Sequence, residues 1–306
     1  GTLDYSAYTT AVNVELGGTA TGTGGWSGIT AAKGGSASDT ISGSSQTYNL
    51  TGLNAGNNGT VGWSSFENIA DAGTGTITAT GGQTYNLSGS NAGTIAGLLS
   101  GSYTGIGHLS DSGAGNFVFA NGASATGTLS ASAGTLDYSA YTTAVNVGLG
   151  GTATGTGGWS GITNVKGGAG SDTISGSNQT YNLTGANAGN SGTLSWTSFE
   201  NLSDSTAGNF KFADGAGVSG TLAGGGAGTL DYSAYTTAVN VGLGGTATNT
   251  DGWSGISTTK GGSASDTISG SNQTYTLTGT NAGNNGTVGW TSFEKIADSG
   301  AGTLNG

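Results

Sequence analysis

The phrase LDYSAYTTAVNV opens at Leu3, Leu136 and Leu230. A chain that restates itself in this way folds as an array. Each unit is a supersecondary piece that cannot bury its apolar side alone, so neighbours must stack to form a continuous core. The copies define sequence repeats 3–135, 136–229 and an incomplete 230–306, which we read as one continuous solenoid over 1–306. Starts 133 and 94 residues apart imply that smaller blocks have been gained or lost.

The tryptophans mark the block. Trp26 and Trp63, Trp159 and Trp196, and Trp253 and Trp290 each stand 37 residues apart, and WSGITNV from Trp159 answers WTSFENL from Trp196. Upstream of the second Trp, TYNL at Thr180 takes the part of AVNV at Ala144. The longer first repeat holds a further block, in which YTGIGHL from Tyr103 replaces the Trp phrase.

Short runs with period-two alternation, such as AVNVGL, DTISGS, TYNLTG and NFKFADG, are separated by Gly, Asn, Asp and Ser clusters. They read as strands with turns between them. With 66 Gly and no apolar stripe at helical spacing, helix is excluded nearly everywhere. Halving the block predicts an all-β fold, a right-handed parallel β-solenoid (β-helix) with about 19 residues per coil and roughly 16 coils. Val145, Val147, Ile162, Val165, Ile174, Tyr181, Leu183, Leu202, Phe210 and Phe212 should point inward. The expected structural core is Trp26, Trp63, Trp159, Trp196, Trp253 and Trp290 in equivalent places, with Phe66, Phe199 and Phe293. Asn in TYNL and FENL is expected to form amide ladders between coils.

The chain has no Cys, Met or Pro, five basic residues against 16 acidic ones, and a net charge of −11. Nothing in it could neutralise a phosphate backbone, so nucleic acid is excluded as a partner. No apolar stretch is long enough for a helical membrane span. The opening GTLDYS and the closing GTLNG lie in nearly the same phase of the repeat, as in a processed product or a segment of a longer array.

Residues 167–175, GGAGSDTIS, fit the G-G-x-G-x-D-x-U-x nonapeptide and resemble the calcium-binding repeats of RTX β-rolls. GGSASDTIS recurs from Gly34 and from Gly261, with Ala37 and Ala264 in place of the third Gly. The resemblance makes Asp39, Asp172 and Asp266 the candidate metal ligands. Each copy stands alone, however, and a lone carboxylate falls short of the six to eight oxygens that Ca²⁺ takes, so no metal and no other cofactor is expected. The wider phrases, TLDYSAYTTAVNV with GTATGTGG and SDTISG, resemble repeat regions of giant secreted bacterial surface proteins and filamentous-haemagglutinin-like adhesins. That resemblance implies a secreted, extracellular, cell-surface structural role.

Catalysis is not expected. The single histidine, His108, stands where other blocks carry Asn68 and Asn201, and the acids are replicated: Asp4, Asp137 and Asp231 in LDYS, and Glu67, Glu200 and Glu294 in FEN or FEK. An active site is singular, whereas replicated groups suit turn-stabilising Asp and solvated Glu. The favoured function is a subunit or segment of a surface filament whose partner is itself, head to tail along the solenoid axis. Alternatives are an adhesin stalk or a binding module for cell-surface glycans or ice on one face, with Thr from GTATGTGG, and a calcium-binding RTX-type domain.

Overall fold

The computed structural model describes all 306 residues and is built of strands and turns without a helix. Parallel coils stack into a β-solenoid. Contacts divide the chain into two compact units, residues 1–142 with 151–165, and residues 143–150 with 166–306.

Register gives the length of a turn. In the second unit Ile174 pairs in parallel with Leu202, and Tyr181 with Phe210. In the first unit Ile41 pairs with Ile69 and Tyr48 with Ile77 at the same two steps. The solenoid therefore has about ten turns of about 29 residues rather than about 16 coils of 19. The halved Trp spacing misled because the paired tryptophans do not stack. Ala32, not Trp26, lies in register with Trp63, so the Trp spacing is one full turn plus a shift of phase.

The residues beyond the expected coil form an antiparallel excursion. Strand Thr180–Gly185 folds back on Ala188–Ser191, which folds back again on Leu194–Thr197. Asn187 at the first bend has φ 53°, as do its counterparts Asn54, Asn91 and Asn281 to within two degrees. Asn tolerates this left-handed conformation better than most residues, which explains its place in every TYNL block. Where no such meander is inserted the turn is much shorter, as from Leu202 to Leu222 and from Leu109 to Leu129.

The expected inward positions, Val145 to Phe212, are buried. Aromatic rings on successive turns stack directly: Tyr181 on Phe210 with centroids 5.1 Å apart, and Phe212 on Tyr232 at 4.1 Å. Such pairs add about 0.5–1.5 kcal/mol each beyond the area they bury, which matters in a core so rich in small residues.

Candidate functional site

The Asp of each nonapeptide is fully buried and lies at the centre of an intercoil clamp. Asp172 Oδ1 accepts the Val145 amide at 2.8 Å from the preceding turn, and Oδ2 accepts the Gly168 amide of its own turn at 2.6 Å. The Asp172 amide donates to Glu200 Oε2 on the following turn at 2.8 Å, and Glu200 Oε1 accepts from Asn187 Nδ2. The same contacts recur around Asp39, through Val12, Gly35, Glu67 and Asn54, and around Asp266, through Val239, Gly262, Glu294 and Asn281. Three turns are tied together through one aspartate, two by its carboxylate and the third by its backbone amide.

This geometry accounts for the nonapeptide pattern in terms of packing. A Cβ on Gly167 would lie 1.9 Å from the Ser198 carbonyl oxygen and 2.5 Å from Asp172 Oδ2, so the first Gly makes room for the neighbouring turn and for the carboxylate. Burial pushes the Asp172 carboxyl above the usual range; the Val145 and Gly168 amides oppose this, and the nearby Glu200 adds to it. No cluster of three or more His, Cys, Asp or Glu is arranged to hold a metal ion.

A second family of carboxylates, outside the nonapeptides, also joins turns. Asp204 accepts the Asn178 and Gln179 amides at 2.8 and 2.9 Å, the Thr206 amide, and the Tyr181 hydroxyl at 3.2 Å. Asp71 with Tyr48, Asp111 with Tyr85 and Asp298 with Tyr275 repeat the arrangement. Burial pushes the Asp111 and Asp204 carboxyls up, but the backbone donors together outweigh it and hold both below the usual carboxylate range. The Gln273 amide leads in holding Asp298 at about 2. The signal was available: each TYNL or TYTL tyrosine is followed by a phrase that closes on an Asp, FENIAD after Tyr48, GHLSD after Tyr85, FENLSD after Tyr181 and FEKIAD after Tyr275.

The six tryptophans occupy two environments. Trp63, Trp196 and Trp290 are buried at the end of the meander, edge-on to Tyr48, Tyr181 and Tyr275, together with buried Phe66, Phe199 and Phe293. Trp26, Trp159 and Trp253 are half-buried outside the core, and each indole N–H donates to a hairpin carbonyl, that of Thr19, Thr152 or Thr246. The expected equivalence fails because the two Trp phrases lie at different phases of the turn.

Asp4, Asp137 and Asp231 cap their own turns by accepting the Ser6, Ser139 and Ser233 amides. Glu67, Glu200 and Glu294 are clamp members rather than merely solvated groups. The Asn side chains of TYNL donate within the meander, Asn182 to Asn190 at 3.0 Å, instead of forming amide ladders between coils. Asn201 bonds to neighbouring turns, but through Ser171, the Asp172 carbonyl and the Thr221 amide. His108 Nδ1 accepts the Thr128 amide at 3.0 Å, so the lone pair a general base would use is engaged in joining two turns. Two lysines are in register with the LDYS aspartates, Lys33 with Asp4 and Lys260 with Asp231, which places opposite charges on adjacent rungs.

No helix is long and apolar enough to cross a membrane. Comparison with protein-family models, with curated proteins and with solved structures gave no match.

Proposed function

We propose that this chain is a structural segment of an extracellular bacterial surface fibre, in which each turn serves as a rung and no turn is an active site. The observation that carries the reading is the Asp clamp, repeated at Asp39, Asp172 and Asp266 with the same partners and nearly the same distances. Groups that could do acid–base chemistry in another setting are engaged here in joining one turn to the next. The reading needs no catalytic residue and no cofactor. The repeat phrases resemble those of secreted RTX-like and filamentous-haemagglutinin-like proteins, which supports a cell-surface location.

The partner in this reading is a further coil of like sequence, set head to tail along the solenoid axis, including one from a second copy of the chain. Such a contact is heterologous and does not close, so it generates an open fibre. Electron microscopy and sedimentation of the purified chain test it. Fibres one solenoid wide, growing with concentration, are expected, and a monomer that stays discrete at every concentration would overturn the self-assembling reading.

One observation favours a second reading, an adhesin-type binding face. Trp26, Trp159 and Trp253 each present a half-exposed indole fixed by its own N–H bond, which suits stacking on the apolar face of a sugar ring. Quenching or a blue shift of Trp emission on titration with neutral oligosaccharides, lost in the W26A, W159A and W253A variants, is the outcome that reading requires.

A further inference from the structure

The dipeptide Asn-Gly occurs at 58–59, 121–122, 285–286 and 305–306. It is the pairing most open to self-deamidation, because a glycine with no Cβ leaves its amide nitrogen free to approach the asparagine side chain. The first three pairs lie between strands, and their surroundings differ.

At 58–59 every reacting group is held. The Gly59 amide donates to Asn57 Oδ1 at 3.0 Å, Asn58 Oδ1 accepts the Thr60 and Val61 amides, and Asn58 Nδ2 donates to Gln46 Oε1 at 3.2 Å. The same bonds recur at 285–286 through Asn284, Thr287, Val288 and Gln273. Nucleophile, carbonyl and leaving nitrogen are all engaged.

Asn121 and Gly122 are built otherwise. They are the exposed central residues of a turn closed by the Ala123 amide on the Ala120 carbonyl at 2.9 Å, with Gly122 at φ 74°. The Gly122 amide and Asn121 Nδ2 donate to no protein group. Asn121 Oδ1, in contrast, accepts the Thr142 amide at 3.1 Å and the Thr142 hydroxyl at 3.3 Å. Two donors on that oxygen stabilise the negative charge it takes up when its carbon is attacked.

The second unit carries an aspartate at the equivalent place. Its turn from Ala213 to Ala216 has the same closing bond at 2.9 Å and the same φ of 74° at Gly215, with Asp214 where Asn121 stands. Asp214 Oδ1 accepts the Thr236 amide at 2.9 Å and Oδ2 accepts the Thr236 hydroxyl at 2.7 Å, one oxygen for each donor. These bonds hold the Asp214 carboxyl below the usual carboxylate range.

We infer that Asn121 is a self-deamidation site, and that its conversion to aspartate gives the first unit the two-oxygen clasp that Asp214 makes on Thr236. Gly122 N bonds to Asn121 Cγ and loses its proton, the Cγ–Nδ2 bond breaks, and ammonia leaves with that proton as a five-membered imide closes. Solvent water then opens the ring, at Cγ to give aspartate or at the main-chain carbonyl carbon to give isoaspartate. The turn gains one negative charge, and the aspartate form gains charge-assisted bonds to Thr142. The inference does not depend on whether the chain forms fibres or binds glycans.

Incubation of the full chain at mildly alkaline pH, followed by peptide mapping with mass spectrometry, reads each asparagine separately. Asn121 should convert at least tenfold faster than Asn58 and Asn285; equal rates, or a slower Asn121, would overturn the inference. The double variant Gln46→Ala, Asn57→Ala releases the leaving nitrogen of Asn58 and the Gly59 amide. It should speed conversion at Asn58 severalfold while Asn285 in the same chain keeps its rate, and an unchanged Asn58 would refute protection by these bonds. The Asn121→Asp variant reads the clasp directly. Its melting temperature should exceed the parent's at neutral pH, with the gain lost as pH falls below the carboxylate range. A melting temperature at or below the parent's at neutral pH would sink the clasp.

Discussion

The Tyr181 hydroxyl and the Asp204 carboxylate meet 3.2 Å apart across adjacent turns, and Asp204 takes four backbone amides as well, those of Asn178, Gln179, Thr206 and Ala207. The phenol is one donor among several, so the two partners differ in weight. Tyr181→Phe keeps the stack on Phe210 and should cost about 0.5–1.5 kcal/mol. Asp204→Ala leaves several donors without an acceptor at once and should cost more than about 3 kcal/mol. Thermal or urea unfolding of the two variants gives the comparison, and equal losses would contradict it.

The nonapeptide clamp makes a sharper demand. Asp172→Asn keeps shape and volume but turns one acceptor into a donor that faces either the Val145 or the Gly168 amide. A loss of about 1–3 kcal/mol is expected from the unsatisfied buried amide. With both carboxylate oxygens engaged by amides, calcium at millimolar concentration and chelator should give superimposable melting curves; a calcium-dependent rise in melting temperature would point to the RTX-type reading instead.

Glycine substitutions separate packing from backbone freedom. Gly189 lies opposite Trp196, and a Cβ there would stand 2.4 Å from the Asn182 carbonyl oxygen and 2.6 Å from the indole. Gly189→Ala should cost about 1–3 kcal/mol through overpacking. On the preceding strand, a Cβ on Gly185 would meet only Ala188 at 4.0 Å, so Gly185→Ala should change stability by less than about 0.5 kcal/mol.

Acid and alkali should attack the same Tyr–Asp pairs from opposite sides. Asp111, Asp204 and Asp298 are held below their unfolded value, so their contribution is present above that value of 3.8 and is lost as pH falls through the folded one, about 2 for Asp298. Burial, followed by Asp298, pushes Tyr275 up to about 12. Its contribution is complete below pH 10 and fades as pH rises towards 12. Asp172 runs the other way, because its raised carboxyl favours the folded state as pH falls towards 3.8. Resonance titration of the carboxyl carbons and tyrosine absorbance check the order.

Trp emission should resolve two populations under acrylamide. The accessible one should disappear when Trp26, Trp159 and Trp253 are replaced by Phe, while the protected one remains with Trp63, Trp196 and Trp290. A single quenching constant for all six would contradict the two environments.

Period-two alternation located the strands and the inward residues from Val145 to Phe212, because alternation reports directly on which side of a strand faces the core. The length of a turn was not legible from the same patterns. Trp159 and Trp196 share neighbours in sequence, yet one covers a hairpin and the other ends a meander, and only hydrogen-bond register separates the two. Antiparallel meanders leave little trace in spacing, since Ala188–Ser191 alternates much like any parallel rung. The clamp was half visible. Asp172 stands out by its motif, but its partners Val145 and Glu200 are brought to it from other turns, and adjacency of that kind is set by a turn length the sequence does not print.

The short step from Leu202 to Leu222 follows the longer step from Ile174 to Leu202 in one ladder, and the ladder beside it runs in register from Tyr181 through Phe210 to Leu230 by one long step and one short step. Turn length and rung position are therefore independent quantities in this fold. A lineage can lengthen or delete the excursion between Gly185 and Thr197 without renegotiating the core, and a designer can replace it with a foreign segment. The excursion and the ladder can then change as separate parts of one chain.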